Sequence, residues 1–336
     1  MLRGAFIGFG NVAENGHLPG WKSRDDMEIV AACDASAERR TAFLEACSGA
    51  RWYQDVANLL SDEQLDFVDI CTPPSSHKAL IEQSLTAGLH VLCEKPLATK
   101  ASDAQTVAAA AKSARRIVHT VHNWLYAPVC FKISGLIAEG AIGDIHSVRW
   151  QTLRTQPAVA FAAGGEKNWR IDPKLAGGGI LSDHGWHALY CISRWAGRPR
   201  AVAARLESRR FHQAGLEDTA TLTLDLTSGS AQIYLTWASD ERSNQIEIDG
   251  KHGHIKVAGD TVALTSKSGE RRWSCPPSLS EGSHHPDWFV GVAEDFRNAI
   301  TGGHRDNLEE AVLCARLIDL AHRSSASGGK RIPLID

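Results

Sequence analysis

Short apolar runs alternate with amphipathic stretches through the first 123 residues, and this rhythm predicts strands at 3–9, 28–33, 67–71, 90–93 and 117–121. Helical composition fills 36–46, 76–87 and 101–113, with Gly49 and Gly88 where helices would end. Strands alternating with helices predict a parallel sheet covered on both faces. Beyond Pro128 the pattern changes. A helix to Glu139 leads into an alternating stretch, 144–155, then into the run Gly177-Gly178-Gly179 and a helix over about 179–195. Period-two runs follow at 201–209, 219–226, 230–237, 245–248, 254–257 and 261–265, separated by turn signals such as Ser228-Gly229-Ser230 and Asp249-Gly250. Two helices, 287–300 and 307–324, close the chain around Gly302-Gly303. The predicted fold class is α/β, a doubly wound parallel sheet over 1–123 joined to an α+β domain over 124–336 with an open, mainly antiparallel sheet. The closing helices are free to return to the first domain. Leu222, Leu224, Ile233, Leu235 and Trp237 are read as apolar cover for both faces of the second sheet, which predicts an oligomer interface.

The first strand ends in Gly8-Phe9-Gly10-Asn11-Val12-Ala13, a Gly-x-Gly-x-x-Ala fingerprint between a strand and a helix. Gly8 permits the tight turn, Gly10 lets main chain approach a pyrophosphate, and Ala13 lets helix and strand approach closely. Asp34 closes the second strand at the offset expected for an acid on the adenosine ribose. A carboxylate there accepts from the free 2′-hydroxyl of NAD and repels the 2′-phosphate of NADP, so NAD is favoured, with Arg39 and Arg40 the residues that could reverse the preference. Thr72-Pro73-Pro74-Ser75-Ser76-His77 follows another strand and is placed over the same crevice, so Thr72, Pro73 and His77 join Gly8, Phe9, Gly10, Asn11, Val12 and Asp34 as cofactor candidates. Cys93-Glu94-Lys95-Pro96 ends the 90–93 strand, and charged residues at a strand's carboxyl end face ligand in an open parallel sheet. Glu94 and Lys95 therefore belong to the cofactor site, and Pro96 is expected to take a cis bond.

In the second domain Asp183 and His187 stand four residues apart, a spacing that puts both on one helical face. Such a pair can position and deprotonate a hydroxyl, and the preceding glycines would allow close approach of a ligand or of the other domain. With these residues in hand, the chain resembles the family of glucose-fructose oxidoreductases, inositol dehydrogenases and rhizopine-catabolism proteins (Gfo/Idh/MocA). The resemblance runs from Gly8–Ala13 through Glu94-Lys95-Pro96 and Asp183-x-Gly185-x-His187 to the segment 324–333. It implies a Rossmann domain, hydride transfer between NAD(P) and a secondary alcohol or ketone of a sugar, deoxysugar or cyclitol, Lys95, Asp183 and His187 as the catalytic group, and a homodimer or homotetramer. Two positions depart from the family pattern: Tyr190 stands where many relatives carry an acid, and His184 where an apolar residue is common.

An imidazole titrates near neutral pH and suits proton exchange, whereas an ammonium keeps its charge and suits orientation and polarisation. His187 is accordingly expected as general acid/base, Lys95 as the cation beside the nicotinamide, and Asp183 as the group that orients substrate or tunes Lys95. Asn123, Trp124, Trp169, Arg170, His184 and His285 are the candidate substrate contacts, indole faces suiting a sugar ring. No metal is expected, since His284 and His285 lack further ligands at recognisable spacing.

Composition narrows the partners. Thirty-six basic and 39 acidic residues are intermixed, giving a net charge of −3 without a basic block, so nucleic acid is not expected. No apolar run approaches a membrane span, and the eight scattered cysteines contain no Cys-x-x-Cys pair. A cytoplasmic protein with a small polyol or sugar substrate is expected. Two other readings are a redox-neutral, NAD-dependent glycoside hydrolase and a non-catalytic dinucleotide-binding regulator.

Overall fold

A computed structural model describes residues 1–160, 168–212, 215–304 and 306–335. The chain forms two compact units: Met1–Asn123 with Val159–Gly177 and Ser283–Val312, and Trp124–Ala158 with Gly178–Gly282 and Leu313–Asp336.

The first unit holds β1 (Leu2–Ile7), β2 (Met27–Cys33), β3 (Arg51–Tyr53), β4 (Phe67–Ile70), β5 (His90–Cys93) and β6 (Val118–Thr120). They form one parallel sheet in the order β3-β2-β1-β4-β5-β6. The central strands are apolar because helices bury both their faces; Gly4 is glycine because a Cβ there would stand 2.1 Å from the Phe67 ring. β3 has only three residues, none fully buried, so it lacks the apolar run that reveals the others. Asp69 is the exception inside this core, a fully buried acid in the middle of β4. The edge of β6 is closed by Asn307, whose side chain accepts from Thr120 N–H and donates to Thr120 C=O, both at 2.7 Å.

The second unit is built on β7 (Ile145–Leu153), β8 (Ala201–Glu207), β9 (Thr219–Leu226), β10 (Gly229–Thr236), β11 (Ser243–Gly250), β12 (Gly253–Ala258), β13 (Thr261–Ser266), β14 (Gly269–Ser274) and β15 (Ile332–Pro333). The sheet order is β14-β13-β12-β11-β7-β10-β9-β8-β15, antiparallel throughout except for the parallel β7–β10 pair. Its register corrects one expectation. Leu222 pairs with Ile233, Ala220 with Leu235 and Leu224 with Ala231, so these apolar residues share one face, and Leu222, Leu224, Ile233, Leu235 and Trp237 are all buried. They cover one face rather than two. On the intervening positions stand Thr221, Thr223, Gln232 and Tyr234, and on β7, β11 and β12 the ion-paired Arg149, Glu247 and Lys256.

The helix expected over 179–195 opens as a widened π turn, Leu181–Gly185, before regular α-helix at Trp186–Ala196. A second π turn, Ala13–His17, follows the glycine fingerprint. Among the described residues no helix is long and apolar enough to cross a membrane. None of the eight cysteines is in a disulfide.

Candidate active site

In the first unit the fingerprint turn is set by main chain. Gly8 has φ +88°, and a Cβ there would meet Thr72 Cγ2 at 2.7 Å, which ties the turn to the 72–77 loop. Around Gly10 a Cβ would meet nothing within 4 Å, so the main chain there is open to a ligand, as a pyrophosphate-binding glycine requires. Phe9 is fully buried, edge-on to Phe6 and Phe43, and offers the crevice only its backbone. Asp34 accepts from Phe9 N–H at 2.7 Å and Ser36 N–H at 2.8 Å, one on each oxygen. A carboxylate has about four acceptor positions, so about two remain for ribose hydroxyls. Arg39 is engaged with Glu14 and the exposed Asn11 side chain, at 3.4 and 3.2 Å, while Val12 is half-buried. These features fit NAD. His77 is fully buried, its ring nitrogens 2.8 Å from Thr72 C=O and 2.9 Å from Pro96 C=O, and so joins the proline loop to the lysine motif. Burial pushes its pKa down.

The Lys95–Pro96 bond is cis. Behind it lies a polar chain that the sequence reading passed over. Trp21 Nε1 donates to Asp69 Oδ2 at 2.8 Å, and His17 Nδ1 stands 2.9 Å from the same oxygen. His17 Nε2 stands 3.1 Å from Glu94 Oε1, and Glu94 Oε2 accepts the Lys95 main-chain N–H at 2.9 Å. Burial works against a charged imidazole here, but Asp69 and Cys71 together outweigh it and hold the His17 pKa well above the ordinary value. Burial likewise opposes the Glu94 carboxylate, and the bond and charge of His17, with Lys95, bring its pKa down instead. The available signal was an aspartate inside an apolar central-strand run, Phe67-Val68-Asp69-Ile70.

Arg170 lies over the Trp169 ring at 4.7 Å, and the His284 pKa is lowered by burial and by the nearby Arg170. His285 stacks on Trp288 at 3.6 Å. Asn123 ends this unit at a short 3-10 turn, Asn123–Tyr126.

In the second unit His187 is 5% exposed and held on two sides. Trp124 stacks on its ring at 4.3 Å and 8°, and the Tyr190 hydroxyl stands 2.7 Å from Nδ1. That hydroxyl also accepts the Trp124 main-chain N–H at 3.0 Å. A neutral phenol therefore does the orienting that an acid would do at this position. Trp124 is itself 7% exposed, and the indole serves as a wall for His187, leaving little face for a sugar. Asp183 Oδ2 stands 3.2 Å from His184 Nδ1 within the π turn. Arg154, 2% exposed, has its pKa lowered to about 9 by burial and the neighbouring Arg242, with Asp183 acting in the opposite direction. The glycine run is explained by protein neighbours. In the first unit a Cβ at Gly177 would meet Thr99 Cβ at 2.4 Å; in the second a Cβ would meet Ser182 Oγ at 2.1 Å from Gly178 and Glu217 C=O at 1.8 Å from Gly179. Glu217 Oε1 accepts from Gly179 and Leu181 N–H at 2.9 and 3.2 Å, capping the start of the π turn that carries Asp183.

The family model described as "Oxidoreductase family, NAD-binding Rossmann fold" matches residues 2–122, and that of the "GFO/IDH/MocA C-terminal domain" matches 132–256. The chain belongs to the Gfo/Idh/MocA family. Among its relatives, a D-apiose dehydrogenase of Paraburkholderia graminis is 32% identical over 292 residues, covering 84% of this chain and 75% of the relative. A myo-inositol 2-dehydrogenase of Thermotoga maritima is 26% identical, covering 80% of each. The fold matches a crystal structure of an oxidoreductase from Agrobacterium radiobacter with NAD+, L-tartaric acid and magnesium at a TM-score of 0.88, with 23% identity over 99% of this chain and 98% of that one. It also matches levoglucosan dehydrogenase with NADH and levoglucosan at a TM-score of 0.85, with 21% identity over 100% of both chains. This Gfo/Idh/MocA member is an oxidoreductase whose N-terminal domain is an NAD-binding Rossmann fold.

Proposed function

We propose that the protein interconverts a secondary alcohol and a ketone on a sugar, deoxysugar or cyclitol. The observation that carries this reading is the seating of His187, whose Nδ1 faces Tyr190 and whose ring is braced by Trp124. The two contacts fix the plane of the imidazole, and proton exchange is assigned to that ring. NAD, held by the Gly8–Ala13 turn and Asp34, would supply the acceptor for the hydride that leaves the alcohol carbon. The alcohol proton passes to the His187 imidazole. Lys95 polarises the reacting oxygen, and Asp183 orients the substrate hydroxyls. Asn123, Trp169, Arg170, His184 and His285 are proposed around the remaining polyol, and Thr72, Pro73, Asn11 and Val12 beside the dinucleotide. The names of the relatives support a polyhydroxylated substrate. A homodimer or homotetramer in the cytoplasm completes the proposal, eight cysteines outside any disulfide suiting a reducing compartment.

The test is a screen of D-apiose, myo-inositol, levoglucosan and methyl glucosides against NAD, with the matching ketones against NADH, following absorbance at the NADH band and hydrolysis products together. His187→Ala should lower kcat by ~10²-fold or more while NADH affinity stays within ~3-fold. Glycoside cleavage without net NADH, or an unchanged rate in the variant, would refute the assignment.

A further inference from the structure

We infer that His17 is a positioning residue for Lys95: bridging Asp69 and Glu94, it holds the Glu94 carboxylate on the Lys95 main-chain N–H and so fixes the backbone from which the lysine side chain starts. The inference rests on the proposed role of Lys95. A neutral imidazole has one N–H, so between two carboxylates it would leave a lone pair facing an anion, whereas an imidazolium donates to both. His17 sits in that arrangement at 2% exposure, with Asp69 fully buried on one side and Glu94 on the other. The ring cannot turn away. Phe289 lies flat on it at 4.0 Å, and the indole N–H of Trp21 pins Asp69 from behind.

The charged and titratable groups around the ring are Asp69 in β4, Cys71 just beyond it, Glu94 and Lys95 after β5, and His284 before the helix Pro286–Ile300. Burial and Asp69 push the Cys71 thiol up, so it stays protonated. His17, Asp69 and Cys71 also offer three atoms within 4.8 Å of one another, the spacing of a metal trio. A ring protonated at both nitrogens has no lone pair for an ion. A buried acid, cation and acid in a strand core is an expensive way to stabilise a fold, since apolar residues of similar size do as well. What the polar chain adds is direction: each oxygen of Glu94 is committed, one to His17 and the other to the backbone of Lys95.

The test needs no substrate. Spectra of ¹⁵N-histidine protein loaded with NAD should show His17 doubly protonated at pH 8; a neutral His17 at that pH overturns the inference. In parallel, NADH affinity is measured by fluorescence titration for His17→Gln, Lys95→Ala and the double variant. Acting through Lys95, the His17 change should weaken NADH by ~10-fold with Lys95 present and by under ~3-fold with Ala at 95, the non-additivity of a coupled pair. Equal effects in both backgrounds would mean a merely structural histidine and overturn it. A Lys95→Ala protein that binds NADH normally removes the role of Lys95 itself; a weakened Lys95→Ala with additive His17→Gln removes only the positioning. If His17→Gln does not fold, Glu94→Gln, which keeps an acceptor for the Lys95 N–H but loses its charge, enters the same cycle with the same two outcomes.

Discussion

Gly179→Ala is the sharpest test of how the helix bearing Asp183 and His187 is anchored. The added Cβ would stand 1.8 Å from the Glu217 carbonyl oxygen and 2.9 Å from its Cδ. Relief requires a main-chain shift of over ~1 Å, because buried interiors have no slack to absorb it. The shift breaks Ile180 N–H to Glu217 C=O (3.1 Å) and the two bonds from Gly179 and Leu181 to the buried carboxylate. A neutral bond is worth ~1 kcal/mol and one to a charged group ~1.5–3, so the loss is about 4 kcal/mol or more. At ~2–4 °C per kcal/mol, melting should fall by roughly 10 °C. Gly178→Ala provides the internal comparison: its nearest obstacle is the Ser182 hydroxyl, which can rotate, leaving Ser182 Cβ at 2.9 Å as the fixed clash, no backbone atom is met, and the cost should be smaller. Melting by circular dichroism and kcat are measured on both variants. A Gly179→Ala protein melting within ~2 °C of wild type would show that Glu217 does not press on this glycine.

Three further outcomes are expected. Tyr190→Phe removes the hydroxyl at His187 Nδ1 and should lower kcat by ~10-fold with NADH affinity unchanged, whereas Tyr190→Glu should move the His187 limb of the pH–rate profile upward, an anion favouring the imidazolium; an unmoved profile in both would refute the orienting role. Asp34→Asn keeps one acceptor where the native carboxylate serves two N–H groups, so NAD binding should weaken and the preference for NAD over NADP shrink at least ~5-fold, which the ratio of specificity constants reads directly. Burial raises the Glu217 pKa, so the folded protein binds the extra proton and stability falls as pH rises from the ordinary carboxylate value through the raised one; Glu217→Gln retains Oε1 for both backbone bonds, and its melting temperature should equal or exceed wild type at pH 8 and converge with it near pH 4. A variant several degrees lower at pH 8 would contradict this.

What could be read in advance follows from which interactions leave a periodic trace. β9 and β10 carry period-two alternation because one face of the second sheet is buried and the other wet, so their limits were legible almost to the residue. β14 is nearly all exposed and β3 is three residues long, so neither imposes a pattern. The fingerprint glycines were legible because a turn with φ +88° excludes most other residues at Gly8. The same logic applied to Gly177-Gly178-Gly179 pointed to close approach of a ligand or of the other domain, and the neighbours a Cβ would meet are Thr99, Ser182 and Glu217. A sequence shows that a Cβ is not tolerated, never which atom forbids it. The His17 chain was hidden for a related reason: His17, Asp69 and Glu94 lie on three separate segments, and only folding brings them within hydrogen-bond reach. One part of it was nonetheless exposed to view. An aspartate between Val68 and Ile70 in a strand buried on both faces needs hydrogen-bond donors, so Asp69 signalled a buried polar partner without saying which residues, Trp21 and His17, would supply it.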